Sequence, residues 1–449
     1  MPAVELMHMS RVFSGAVLFA LMGIAAPVQL PAQADLRAAG ARLEQGRAAE
    51  RSGDLEGYYT HARAAAAVVP SHPVLLYHSA RAAARTGRND ESLEILARLA
   101  PIGAPRDPAV DSAFQSLWAT PVFVKHVEAI RQFTSPLTSS DTAFVIDAPN
   151  LVVENLAFDS ARNVFYVGSM ARRTILRVSP SGRAEPLISP TATLGQPLGM
   201  KVDPKGGVLW ATTIWPVDSP AGRVRTTSEL LAVSIASGRI LRRLRPPDTT
   251  RAHLLNDIVF AANGSAYISD SEGGAIWVLP PTGDSLREFT RLPATVLYPN
   301  GIALSPDGRA LLVAHQSGIV AIDLASRAAV PLRVPDASTF MGIDGLYTAA
   351  NAILGVINTS TVEQLVYGVI TRDRDGTLGV VCASALDRRH PAYQMPTTGT
   401  LSVNSFYYVA NSQLRRLDPK GNLRDPGTET RTIILKATLP QEKAPGDCR

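Results

Sequence analysis

Six short segments in the last 300 residues repeat one pattern, and that repeat limits the fold more than any other feature of the chain. They read Glu154-Asn-Leu-Ala-Phe, Leu198-Gly-Met-Lys-Val, Asn256-Asp-Ile-Val-Phe, Asn300-Gly-Ile-Ala-Leu, Asp344-Gly-Leu-Tyr-Thr and Thr398-Gly-Thr-Leu-Ser. Each opens on a variable residue, usually followed by glycine, and runs into an apolar strand. Successive starts lie 44, 58, 44, 44 and 54 residues apart. A recurrence of this length, made of short strands, predicts an all-β six-bladed β-propeller. The six leading residues, Glu, Leu, Asn, Asn, Asp and Thr, then stand in a ring around the central channel.

The pattern continues inside each unit. A turn follows the first strand, as in Asp203-Pro-Lys-Gly-Gly, Asn263-Gly264 and Ser305-Pro-Asp-Gly, where Asn and Gly accept positive φ. Second strands are expected at Val164–Val167, Val208–Ala211, Ala266–Ser269, Ala310–Ala314, Ala352–Val356 and Phe406–Val409. Third strands are expected at Thr174–Val178, Ala275–Leu279, Gly318–Ile322 and Gln413–Leu417. Hairpins in succession give four-stranded antiparallel blades. Thr432–Leu439 reads as a late strand of the last blade, and either it or Ala143–Ile146 closes the ring by pairing the two ends of the domain. Closure removes the exposed edges of an open sheet. The longest gap holds an insertion from Trp215 to Leu230, rich in Pro, Ser and Arg. It is either a solvent loop or a segment whose Ile214 and Trp215 wall the channel mouth.

At 449 residues the chain exceeds one ordinary core. Residues 1–34 resemble an export signal: Arg11 precedes an apolar run from Val12 to Ala26, and Ala32-Gln33-Ala34 supplies a small-x-small cleavage pattern. The run is too short for a membrane span, and no later segment is long enough. A periplasmic or secreted mature protein starting near Asp35 is expected. Residues 35–133 are Ala- and Arg-rich with helical periodicity. Gly53 and Gly87, like Gly46 and Ala80, recur at a period of 34, and Pro70 ends a helix. These features resemble tetratricopeptide repeats and predict a small all-α tetratricopeptide-like domain before the propeller, with a third helical pair in Asp111–Arg131. It serves either as a plain helical cap or as a docking groove for a protein partner. Residues 134–142 read as a linker, and 143–449 as the propeller. The net charge of +5 is scattered without a basic stripe, which argues against nucleic-acid binding. The two cysteines, Cys382 and Cys448, either pair and pin the C-terminal tail or stay apart.

The ring carries the chemistry. Glu154 and Asp344 bring two negative charges, and Asn256 and Asn300 bring two amide oxygens. That mixture suits Ca²⁺, a hard cation taking about 6–8 oxygen ligands, with Mg²⁺ or Mn²⁺ as alternatives. The His and Cys ligands typical of zinc are missing. The glycines Gly199, Gly301 and Gly345 speak for the fold alone, because a Cβ would clash where the backbone bends into a crowded inner strand. Second-strand ends Asp270, His315, Asn358 and Asn411 run back toward the same face. They read as strand-end hydrogen-bonders, with His315 the one able to shuttle protons beside a metal-bound water. No Gly-x-Ser-x-Gly elbow and no Gly-rich phosphate loop is present.

The strings Leu255-Asn256-Asp257-Ile258-Val259 and Asn300 through Gly308, with Glu154 upstream and Ile343-Asp344-Gly345 downstream, resemble the calcium-dependent six-bladed propellers. These include the gluconolactonase/regucalcin, paraoxonase-like and strictosidine-synthase-like proteins. The resemblance spans roughly residues 145–420. It implies a divalent cation held by Glu154, Asn256, Asn300 and Asp344, and hydrolysis of lactones or related esters. It further implies that Asp344 activates water, Glu154 anchors the ion and Asn256 bridges ion and substrate. The chain departs from the pattern at three points. Leu198 stands where paraoxonases carry a His, Leu254 where gluconolactonases carry an Arg, and Asn155 where a second ion would expect an Asp. The loss of that Arg points to a more apolar substrate than a sugar acid. The alternative is a non-catalytic scaffold in which helices and propeller bind a protein partner.

Overall fold

The computed structural model describes residues 35–440, apart from 190–192, 219–223, 336–337 and 359–361. The leader-like residues 1–34 and Cys448, with its pairing to Cys382, lie outside the described residues. Among the described residues five α-helices come first: α1 (Leu36–Arg51), α2 (Leu55–Val68), α3 (Pro73–Arg85), α4 (Asn89–Leu99) and α5 (Pro121–Thr134). Asp35 caps α1 by accepting from the amides of Arg37 and Ala38, and Asp54 caps α2 by accepting from Gly57. Gly53 and Gly87, at φ 84° and 75°, make the turns between α1 and α2 and between α3 and α4. Gly46 lets α1 and α2 close up, since a Cβ there would sit 3.2 Å from the His61 Cβ. The expected third pair is a 3₁₀ turn at Ser112–Leu117 followed by α5. Among the described residues no helix is long and apolar enough to cross a membrane.

Six four-stranded antiparallel sheets follow. The inner strands of five blades are Val153–Asp159, Gln196–Val202, Leu255–Phe260, Ile302–Leu304 and Ile343–Ala349, and that of the sixth is Gly399–Ser402. They coincide with the six repeats. The expected second strands are all present, each at least a residue longer. Apolar faces of neighbouring blades bury each other: Trp210 and Leu230 of the second blade pack with Ile258, Ile268 and Trp277 of the third. The ring shuts in the last blade, where Asp141–Pro149 pairs antiparallel with Arg431–Thr438, so the two candidate closing segments bond to each other.

Two expectations need correction. Gln413–Leu417 is not a strand. It turns as a 3₁₀ helix at Leu414–Arg416, and Arg431–Thr438 takes the third place in that blade. The Arg416 guanidinium folds this excursion back by bonding the Asp425 side chain, the Thr428 carbonyl and the Asn150 side chain. The described residues between Trp215 and Leu230 are not a separate loop either. They lie within a long hairpin of two 11-residue strands, Val208–Asp218 and Val224–Ser234.

The segment joining the helices to the propeller is tied down. Leu137 and Arg388 exchange backbone hydrogen bonds of 2.8 Å. The buried Asp387 carboxylate accepts from the Ser139 and Ser140 amides and from the Ser140 hydroxyl. The helices also meet the propeller through Met341, which packs with Ala39, Leu43, Ala65, Val69 and Leu75.

Candidate active site

An irregularity in the strand register accompanies four of the six repeat residues, Glu154, Leu198, Asn256 and Asp344. The pairing of inner to second strand slips between Val153 and Leu156, Pro197 and Met200, Leu255 and Ile258, and Ile343 and Leu346. Each slip brackets a ring residue and its successor, so the pair bulges out of the ladder and turns toward the channel. The glycine that follows is forced by crowding. A Cβ on Gly199 would lie 2.2 Å from the Asn256 carbonyl oxygen, and one on Gly301 would lie 2.4 Å from the Leu346 nitrogen.

Neighbouring blades fix the ring residues by their backbones. The Glu154 carbonyl accepts from the hydroxyls of Thr397 and Thr398. That of Asn256 accepts from Thr212, that of Asn300 from Ser269, and that of Asp344 from the Gly301 amide. All four candidate ligands are therefore stitched to the preceding blade. Thr398 is spent on this stitching and leaves the ring chemistry to the others.

Glu154, Asn256, Asn300 and Asp344 line one cavity of about 510 Å³, together with His315 and Asn358. The other two second-strand ends do not join them. Asp270 is buried as a corner post, accepting from His253, Leu254, Gly273 and Trp277. Asn411 bonds the backbone of Arg431 and Ile433. Asn358 is the residue that sequence reasoning undervalued. Its Nδ2 donates to Asp344 Oδ2 at 2.6 Å, while Asn300 Nδ2 donates to Asp344 Oδ1 at 2.7 Å. The available signal was its place at the strand end equivalent to His315.

With their NH₂ groups committed, the amides leave bare acceptors. Glu154 Oε2, Asn300 Oδ1 and Asn358 Oδ1 are buried and meet no donor. Buried polar atoms are normally paired, and several donorless oxygens around one cavity match the needs of a hard cation. The electrostatics agree. Burial, then the charges of Asp344 and Asp257, pushes the Glu154 carboxyl well above its usual range. Burial raises Asp344 to about 6 against the opposing amides of Asn300 and Asn358. Among the described residues no group of three or more His, Cys, Asp or Glu could hold a metal. The hub offers two carboxylates and three carboxamides instead, a set that fits calcium better than a transition metal.

His315 is kept neutral, its imidazole pushed down to about 4 by burial, with Nδ1 3.2 Å from the Ser317 hydroxyl. Asp257, the residue after Asn256, is buried and raised by that burial, opposed by the charge of Lys201 and held by the Ile258 and Ile302 amides. Both polar side-chain atoms of Asn155, the residue after Glu154, are buried without partners. Part of the remaining wall is apolar, where Leu198 and Leu254 cluster with Val152, Met170 and Ile214, and Tyr298 and Gln316 also line the cavity. Around this cavity Val152 and Tyr298 hold φ of 50° and 56°, a conformation that bulky or branched residues adopt only at a cost of about 1–3 kcal/mol each.

No protein-family model and no curated protein sequence matches the chain. Solved structures do. A gluconolactonase from Xanthomonas campestris is 16% identical, with 68% of this chain and all of that chain covered and a TM-score of 0.41. A calcium-binding protein, regucalcin, from Agrobacterium tumefaciens is 14% identical, with 68% and 98% covered and a TM-score of 0.42. The major allergen of Malassezia sympodialis is 13% identical, with 67% and 96% covered and a TM-score of 0.49. Likeness at this level leaves the chemistry to be read from the hub. The chain is a six-bladed β-propeller preceded by a small helical region, and its structural neighbours include a gluconolactonase and a regucalcin.

Proposed function

We propose that this protein is an exported, metal-dependent hydrolase of lactones or related esters, acting in the periplasm or outside the cell. The observation that carries the reading is the trio of donorless oxygens on Glu154, Asn300 and Asn358, lining the same cavity as Asn256 and Asp344. Glu154, Asn256, Asn300 and Asp344 would hold the ion, with Ca²⁺ favoured by the oxygen-only set. When bound, a divalent cation polarises a carbonyl and offsets the charge that develops on its oxygen. The chain's own groups do the rest. Asp344, steadied by two amides, is placed to take a proton from attacking water. Neutral His315 in the same cavity is available to hydrogen-bond that water or the substrate. Leu198, Leu254, Met170 and Ile214 exclude water and accept an apolar substituent.

The test is elemental analysis of the purified protein, paired with hydrolysis assays on a panel of lactones and aryl esters. A stoichiometric divalent cation and EDTA-sensitive turnover are expected. A protein free of metal that turns over nothing on the panel would leave the propeller fold standing and remove the enzyme. For export, the mature N-terminus should lie near Asp35, and Met1 retained on the exported protein would reject cleavage.

A further inference from the structure

The hub cavity is not made by the propeller alone. Leu36, the first residue of α1, and His72, just before α3, line it alongside Glu154, Asn256 and Asp344. Two observations make this more than a chance overlap. The helical cluster of Ala39, Leu43, Ala65, Val69 and Leu75 closes on Met341. Met341 lies three residues before Asp344, on the segment that enters the inner strand. The joining segment is clamped at the other end by Asp387 and Arg388, so the helices are held at two places.

His72 occupies the N-cap position of α3 and makes no side-chain cap hydrogen bond. Its Nδ1 is buried and meets no partner. Burial also disfavours the charged form, which leaves a neutral ring able to donate at one nitrogen and accept at the other. Leu36 adds apolar surface on the same side.

We infer that the helical region completes the substrate pocket, with Leu36 packing on an apolar stretch and His72 hydrogen-bonding a polar group in the part of the ligand outside the bond to be broken, so that lactones or esters with a long substituent bearing such a group are selected. The inference rests on the reading of the hub as a lactone or ester site. A volume of about 510 Å³ is in the range of pockets for ligands well beyond a bare small ring. The roof thus supplies selection while the hub supplies chemistry.

The test uses the full chain with a γ-lactone bearing a 6-hydroxyhexyl chain, the unsubstituted γ-lactone, and the hydroxyhexyl-substituted γ-lactam as a hydrolysis-resistant ligand for calorimetry. His72→Ala and Leu36→Ala should each weaken lactam binding about 10-fold and shrink the preference for the hydroxyhexyl over the bare lactone by a similar factor, mainly through KM. His72→Gln, which keeps a hydrogen-bonding group, should recover part of the loss. Arg63→Ala, on the exposed face of α2, should change neither measurement. Unchanged lactam affinity and unchanged preference in both roof variants would overturn the inference, as would a wild-type protein that binds no lactam. If the lactam binds in a His72-dependent manner but no lactone is hydrolysed, the roof stands and the hydrolase reading falls. If hydrolysis is EDTA-sensitive but the roof variants behave as wild type, the hydrolase stands and the roof falls.

Discussion

Asn358 shows how much one side chain can settle at this hub. Its amide and that of Asn300 grip the two oxygens of Asp344, so the carboxylate has one orientation before any ligand arrives. Asn358→Ala should loosen that grip and lower metal affinity or activity about 10- to 100-fold, the usual loss for a group that orients a ligand. Calcium titration by calorimetry, alongside turnover, checks it. Glu154→Gln keeps the shape but removes one of the two charges at the cavity, and should abolish EDTA-sensitive turnover while leaving the circular dichroism spectrum unchanged. The four ring residues were legible in the sequence because the repeat aligns them. Asn358 was not, because the second-strand ends carry four different environments. Asp270 and Asn411 at equivalent places are committed to backbone and indole hydrogen bonds that no spacing reveals.

At the scale of the element, the inner strand is set by how closely its neighbour approaches. Gly301 touches the backbone of Leu346 and Asp344. Gly301→Ala should therefore destabilise the fold by about 3 kcal/mol, as overpacking a rigid contact does, read as a lower urea midpoint at unchanged slope. This demand for glycine is why the inner strands could be found from sequence. The long hairpin of the second blade and the Arg416-bound excursion were misread for opposite reasons. The first has the polar, Pro-containing composition of a loop but pairs along its length. The second falls where the third strand of its blade is due but is bent by one guanidinium. A pH effect also belongs to an element, the turn into the third blade. Both ring nitrogens of buried His253 meet acceptors, the Asp270 carboxylate at 2.6 Å and the Asp248 carbonyl at 2.7 Å. The Asp270 hydrogen bond raises the imidazole above its ordinary value. A raised value in the folded state means the stabilisation is complete below the ordinary range of about 6.5 and is lost as pH climbs through the folded value. Wild-type thermal stability should exceed that of His253→Gln near pH 6, with the gap narrowing above about pH 7. A gap independent of pH would show that the pair is not charged.

For the molecule as a whole, the ring depends on one pairing between distant parts of the chain. Asp141–Pro149 completes the last sheet against Arg431–Thr438. Deleting that first strand should expose the row of backbone groups on Arg431–Thr438, and light scattering coupled to gel filtration should then find oligomers rather than monomers. The sequence named both partners but could not choose between them, because a pairing over that distance leaves no local trace. The same limit hid the position of the helices. Their periodicity was plain, but their contact with Met341 and the hub depends on three-dimensional proximity alone.

That clasp also sets an order of events during synthesis. The strand that shuts the toroid leaves the ribosome early and must wait, unpaired, until nearly every other blade has been made. Pairings this remote form slowly. The nascent helices thus hang beside an unfinished ring, and the chamber beneath them can take its final form only when the last strands arrive. Any ligand that binds this chamber is consequently a reporter of finished protein, blind to chains still under construction.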